Sequence, residues 1–264
     1  MIVGQERLCN LFKSMDSLPS SMILKGDIGS GRHLMCEYIA SLFKLKSVDI
    51  TKDISLDTIN DMYSRVEPYL YIIDTSKITE KDQNTILKIL EEPLKNSHLV
   101  LLSVDSHSLL QTVKNRCFSY ELDKYSINSL MSFVDTTSTV DELLFEVADT
   151  PGQVLTYSKI NFVPVKELAE KFVEKIGMAT LPNALTITNK LKFSDKDNSE
   201  IDPNLFLKLV MYYIVHSDTY NIAKKCSLET YTYKLMLDYQ NNNFNKKWLF
   251  DRYIVDFRNV VRRE

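Results

Sequence analysis

The chain has 264 residues, 44% hydrophobic and 25% charged, with a net charge of −3. That is enough to bury a sizeable core in one to three domains, and the composition is that of an ordinary soluble protein. The acidic balance argues against a stand-alone nucleic-acid binder, whose surface has to neutralise phosphates. Cys9, Cys36, Cys117 and Cys226 form no C-x-x-C pair, and the four histidines are scattered, so no metal site is expected. No secretory signal is visible and no apolar run approaches the roughly 18 residues of a membrane span, so a reduced cytoplasmic setting without membrane contact is the expectation.

Residues 1–122 alternate strand-like apolar runs with helical patterns, which predicts a parallel α/β sheet. Ser21–Lys25 (SMILK) is predicted as a buried strand opening onto a glycine-rich turn. A helix follows over 34–43, with apolar residues at 34, 35, 38, 39 and 42. A weaker strand is expected over 47–50. Tyr69–Asp74 (YLYIID) is the clearest strand, and 83–90 is helical until Pro93 stops it. Strands over 98–104 and 117–122 complete a set of five.

After residue 122 the strand signals fade and the chain becomes all-α. Short helices are predicted over 126–134, 140–148 and 152–160, with Ser126 and Thr139 as N-caps. Pro164 precedes a longer helix over 165–176, and 194–202 (SDKDNSEID) is a polar loop. Helices over 205–215, 222–239 and 247–261 finish the chain, the last two separated by a loop over 240–245. No internal repeat is visible.

Gly26-Asp27-Ile28-Gly29-Ser30-Gly31-Arg32-His33 falls between a strand and a helix, the setting of a G-x-x-x-x-G-K-[ST] phosphate-binding loop. Both framing glycines are present, so backbone N–H groups and the helix N-terminus could face an anion. Tight packing of a strand–helix turn is the plainer alternative. The chemical residues have changed. Arg32 replaces a compact lysine with a longer planar fork, and His33 offers an imidazole where magnesium prefers a hydroxyl oxygen. Asp74 could still hold a metal, but Thr75 follows it and has no useful basicity near neutral pH. Intrinsic hydrolysis is therefore not expected.

Several motifs together resemble one family, the delta-prime subunits of bacterial DNA polymerase III clamp loaders, in the AAA+ superfamily. Gly4-Gln5-Glu6-Arg7-Leu8 is similar to the opening G-Q segment. Ile72-Ile73-Asp74, Lys77-Ile78-Thr79 and Asn84-Thr85-Ile86-Leu87-Lys88-Ile89-Leu90-Glu91-Glu92-Pro93 look like the stretch leading into L-L-K-x-L-E-E-P. Leu110-Gln111-Thr112-Val113-Lys114-Asn115-Arg116-Cys117 looks like the L-x-T-[IV]-x-S-R-C turn, with Asn115 in place of the serine. Ser103 falls at the sensor-like polar position. The four-cysteine zinc module common in such subunits is absent, which suits a divergent or phage-encoded version. Thr150-Pro151-Gly152-Gln153 offers no arginine at the start of the last lid helix.

The resemblance implies an AAA+ five-stranded parallel sheet with helices over 1–122, a small helical lid over 123–162 and a helical collar domain over 163–264. It further implies a relict nucleotide site at Gly26, Gly29, Gly31, Arg32, His33, Asp74 and Thr75. Arg116 would act in trans on ATP bound by a neighbouring motor subunit, a contribution worth about 10³–10⁵ in rate in GTPases. The implied partners are gamma/tau-type motor subunits, a delta-type subunit, the sliding clamp and primer-template DNA. No cofactor is implied for this chain; ATP and magnesium would sit only at the neighbour, with a non-hydrolysed nucleotide here at most. Two alternatives remain open: a catalytically active motor subunit, or a purely structural ring-closing scaffold in which Arg116 makes only a local salt bridge.

Other features have tamer readings. Glu91 and Glu92 are adjacent and point apart on a helix, so they are read as structural. Ser103, Asp105 and His107 supply triad residue types without triad geometry. Residues 244–263 form an amphipathic helix, with Phe244, Trp248, Tyr253, Phe257, Val260 and Val261 on its apolar side. Its basic side (Lys246, Lys247, Arg252, Arg258, Arg262, Arg263) is a candidate for nucleic-acid contact.

Overall fold

The computed structural model describes residues 2–104, 109–134, 141–193, 201–240 and 245–262. The chain divides into two compact units, Met1–Thr139 with Ala148–Thr156, and Val140–Val147 with Tyr157–Glu264.

The first unit is built on five parallel strands, β1 (Ser21–Lys25), β2 (Lys46–Asp49), β3 (Tyr69–Asp74), β4 (His98–Ser103) and β5 (Phe118–Glu121). Their order is β2-β3-β4-β1-β5, so the expected five-stranded sheet is borne out. Strand residues alternate between two faces. Met22, Leu24, Leu70, Ile72, Val100 and Leu102 pack with α1 (Glu6–Lys13) and α2 (Arg32–Leu42). Ile23, Tyr71, Ile73, Leu99 and Leu101 pack on the other side with α3 (Leu56–Ser64), α4 (Glu80–Glu91) and Val113 of α5 (Gln111–Lys114). Layers of helix on both faces let central strands be apolar throughout, as a parallel sheet requires.

Three of these helices are not among those expected from the sequence, α1, α3 and the four-residue α5, which lies in the stretch read as a turn. In α1 the buried residues are Leu8, Cys9 and Phe12. In α3 they are Ile59 and Met62, and Ser55 caps its start by accepting from the Thr58 N–H at 3.1 Å. The α4 helix begins three residues before the expected position because Thr79 and Asp82 form a capping box. Short α6 (Ile127–Met131) has Ser126 as its N-cap, as expected. The α8 helix (Pro151–Tyr157) belongs to this unit in all but its last residue.

The second unit is helical throughout its described residues, apart from an isolated bridge between Leu191 and Ile201. It contains α7 (Leu143–Val147), α9 (Phe162–Lys175), α10 (Leu181–Leu185), α11 (Pro203–His216), α12 (Ile222–Gln240) and α13 (Lys246–Arg262). Pro164 lies inside the first turn of α9, where a missing N–H costs no helical hydrogen bond, rather than ahead of the helix. An aromatic cluster forms the core, with Phe172 4.7 Å from Phe257 and 5.6 Å from Phe206, ring centre to ring centre. Buried Tyr253 shares a 2.8 Å hydrogen bond with Thr232. Trp248, expected on the apolar side of α13, is 55% exposed, and Leu249 and Phe250 are buried instead. Thr139, Asp105, His107, Phe244 and Arg263 lie outside the described residues, as does most of both expected loops. Among the described residues no helix is long and apolar enough to cross a membrane.

Candidate functional site: a phosphate-loop remnant and an arginine turn

In the first unit, β1 ends at Lys25, level with Ser103 at the end of β4, and the Gly26 N–H donates to the Ser103 carbonyl at 3.0 Å. The chain then turns through Gly29 (φ +83°) and Gly31 (φ +89°), left-handed positions that favour glycine. Gly31 is the N-cap of α2 and has no side chain to cap with. The N–H groups of Arg32, His33 and Leu34 therefore lack intrahelical acceptors and face the positive end of the helix dipole.

The outer rim of this loop is bound by the chain itself. Three successive carbonyls accept hydrogen bonds: Ile28 from the Thr150 hydroxyl (3.0 Å), Gly29 from the Gly152 N–H (3.0 Å) and Ser30 from the Tyr125 hydroxyl (2.8 Å). Gly29 and Gly152 cross so closely that a Cβ on Gly152 would lie 2.6 Å from the Gly29 Cα. Tyr125 also lies against Gly4, where an added Cβ would meet its ring at 2.8 Å.

Arg32 is buried, at 9% exposure, and its Nη1 has no hydrogen-bond partner. Burial lowers its pKa, opposed by the carboxylates of Asp74 and Asp27. His33 is exposed. Asp74 closes β3 and is buried, with both carboxylate oxygens engaged. Oδ1 accepts from the Ser76 N–H (3.2 Å) and hydroxyl (2.7 Å), and Oδ2 pairs with Lys77 Nζ at 2.9 Å. Burial pushes the Asp74 carboxyl up, but the hydrogen bonds from Lys77 and Ser76 outweigh it and hold the group below the ordinary carboxylate range. Thr75 is buried, and its hydroxyl donates to the Leu102 carbonyl at 2.9 Å. That hydroxyl ties the end of β3 to β4.

Gly26, Gly29, Gly31, Arg32, Asp74, Thr75 and Ser103 thus gather at the C-terminal end of the sheet. Arg116 does not join them. It lies in the turn between α5 and β5, at the opposite end. Phe118 is level with Met22, so Arg116 lies near the level of Ser20. Six residues separate that level from Gly26, about 20 Å at 3.3 Å per residue. Arg116 Nη1 donates to the Thr112 carbonyl at 2.9 Å, and Nη2 pairs with Glu91 Oε1 at 2.8 Å. Glu91 is the last residue of α4, where a negative charge opposes the helix dipole, so the guanidinium offsets that cost. The start of α5 is anchored as well: the Leu110 N–H donates to Gln83 Oε1 of α4 at 2.8 Å. Asn115, in the serine's place, accepts from Gln111 Nε2 at 2.8 Å. Burial raises the Cys117 thiol to about 12, which makes it an unreactive neighbour.

Comparison with known proteins adds a likeness to this geometry. Residues 49–126, which run from β2 past the arginine turn, match the family described as DNA polymerase III, delta subunit. Two curated relatives carry the name DNA polymerase III subunit delta'. That of Haemophilus influenzae is 28% identical over 134 residues, covering 47% of this chain and 39% of that protein. That of Buchnera aphidicola is 36% identical over 53 residues, covering 20% and 16%. Over these stretches the chain is similar to DNA polymerase III delta-prime subunits. The matched stretches span well under half the length of those relatives. Across the whole chain, the structure of a gamma subunit-related DNA polymerase III protein from Thermotoga maritima superposes with a TM-score of 0.52 at 17% identity, covering 98% of this chain and 100% of that one. At that identity the likeness is one of fold alone, and the expected fold class, a five-stranded parallel sheet with helices followed by a helical part, is borne out.

Four contributors to this delta-prime-like site are not among the expected site residues. Lys77 had a sequence signal, a cation three residues after Asp74 on a short turn. Glu91 was read as structural without a partner. Tyr125 and Thr150 carry no motif that announces contact with the loop. In the second unit, Arg258 Nε donates to the Ala179 carbonyl (2.9 Å) and Arg262 Nε to the Gly177 carbonyl (2.7 Å). Two of the basic side chains considered for nucleic-acid contact are therefore spent on the chain's own backbone.

Proposed function

We propose that this chain is a non-catalytic subunit of a replicative clamp loader, which helps place a sliding clamp on primer-template DNA and donates Arg116 to ATP on a neighbouring motor subunit. In this reading the relict site binds no magnesium nucleotide productively, residues 1–122, 123–162 and 163–264 serve as base, lid and collar, and the partners are motor-type and delta-type subunits. The observation that carries the reading is the separation of Arg116 from its own phosphate loop by the length of the sheet. An arginine there cannot serve its own site, but it lies where a subunit packed on that end would meet it. Thr75 supports the silent site, because a threonine bonded to Leu102 cannot activate water.

The Arg116–Glu91 pair favours a second reading, a scaffold in which the arginine only buttresses α4. An exposed pair of this kind contributes about 0–1 kcal/mol, small enough for a γ-phosphate to compete for the guanidinium. The two readings separate in a reconstituted loader carrying Arg116→Ala. The expected result is normal assembly with single-turnover hydrolysis at the facing site slowed about 10³-fold or more. Unchanged hydrolysis would leave only the scaffold.

A further inference from the structure

The salt bridge between Arg116 and Glu91 joins two segments that differ in what else holds them. The end of α4 is fixed without it. Tyr63 of α3 places its hydroxyl 2.5 Å from the Glu92 carbonyl and 3.2 Å from that of Lys88, across the last turn of α4. Asn60 of α3 accepts from Lys88 Nζ at 2.8 Å, and Ile89, Leu90 and Leu94 are buried on either side of Glu91. The helix gains nothing from a carboxylate as its last residue, where the charge meets the negative end of the dipole. The arginine is held differently. Its backbone N–H donates to the Val113 carbonyl at 3.1 Å. Among the described residues its exposed side chain reaches two acceptors, the Thr112 carbonyl at 2.9 Å and Glu91 Oε1 at 2.8 Å.

The pair therefore fixes the arginine more than it fixes the helix. We infer that Glu91 is a positioning residue for Arg116: together with the Thr112 carbonyl it holds the guanidinium in one orientation before a neighbouring subunit arrives. This rests on the reading of Arg116 as the arginine donated to a neighbour's ATP. A guanidinium has five N–H donors and the two contacts take one each, so a γ-phosphate can be met by the others without breaking either bond. Ordering a free arginine only in the transition state would cost about 2- to 10-fold in rate. With Glu91 in place that ordering is done beforehand, on a helix end that Tyr63 keeps still.

The experiment compares Glu91→Ala, Glu91→Gln, Arg116→Ala and the variant carrying both alanines, as isolated full-length chains and then in a reconstituted loader. In the isolated chain the NMR order parameter of the Arg116 Nε–H is expected to fall in Glu91→Ala. It should stay near the wild-type value in Glu91→Gln, whose amide oxygen still accepts from Nη2. In the loader, single-turnover ATP hydrolysis at the facing site is expected to slow about 2- to 10-fold in Glu91→Ala with ATP affinity unchanged. Glu91→Gln should recover most of that rate. Adding Glu91→Ala to Arg116→Ala should slow hydrolysis no further, because the effect passes through the arginine; a merely structural role would slow both backgrounds alike. An unmoved order parameter overturns the inference. So does a wild-type rate in Glu91→Ala while Arg116→Ala is slow, which leaves the donated arginine standing. Faster hydrolysis in Glu91→Ala would make the pair a latch that withholds the arginine, and overturns it too. Unchanged hydrolysis in Arg116→Ala overturns both readings together.

Discussion

Single side chains set what the glycine loop and the end of β3 can offer. Thr75 shows this most simply, since its buried hydroxyl is bonded to the Leu102 carbonyl. Thr75→Val would leave the Leu102 carbonyl short of a donor in the core, and we expect a loss of about 1–3 kcal/mol in urea denaturation with no change in ATP turnover. Asp74 gives a pH signature. Its folded pKa is depressed, so its contribution is complete above the unfolded value near 4 and disappears as pH falls through the lower folded value. Denaturation midpoints followed from pH 7 to pH 3 should therefore drop more steeply below about pH 4 in the wild type than in Asp74→Asn. Parallel curves would mean that Lys77 and Ser76 do not hold the carboxylate in solution.

At the scale of elements, the crossing of Gly29 and Gly152 fixes how α8 meets the loop. A methyl group on Gly152 would meet backbone rather than a yielding side chain. Gly152→Ala should cost about 1–3 kcal/mol and speed amide exchange selectively in residues 26–33 and 148–156. Uniform exchange would show that the crossing is not what holds the two segments together. Much of the sheet was legible in the sequence, because apolar runs such as YLYIID and HLVLLS leave few alternatives and SMILK opens directly onto glycines. The helices missed were α1, α3, α5 and α10, short segments marked by few buried residues. The N-terminal turn of α4 was missed because Thr79 and Asp82 announce it only through a capping box. The altered positions Arg32, His33 and Thr75 could be named in advance because a motif fixes their places. Their new partners could not. Glu91 is 25 residues from Arg116 and Thr150 is 122 from Ile28, and no local pattern encodes either meeting.

For the molecule as a whole, charge sets a further expectation. The net charge is −3, and Arg258 and Arg262 of α13 donate to backbone carbonyls, which disfavours tight binding of nucleic acid. Primer-template DNA should bind the isolated chain no more tightly than about 10⁻⁵ M near physiological salt, by fluorescence anisotropy. Tighter binding with a steep salt slope would assign α13 a direct role. The parallel sheet has a larger consequence. Its two ends are unlike, and in the proposed reading this chain cannot fire at one end while it offers Arg116 at the other. In a row of such subunits packed end to end, most members would both receive a neighbour's arginine and offer their own. A member that can only offer belongs at one terminus of the row, so the defects at Arg32, His33 and Thr75 would fix where the series of firing sites begins.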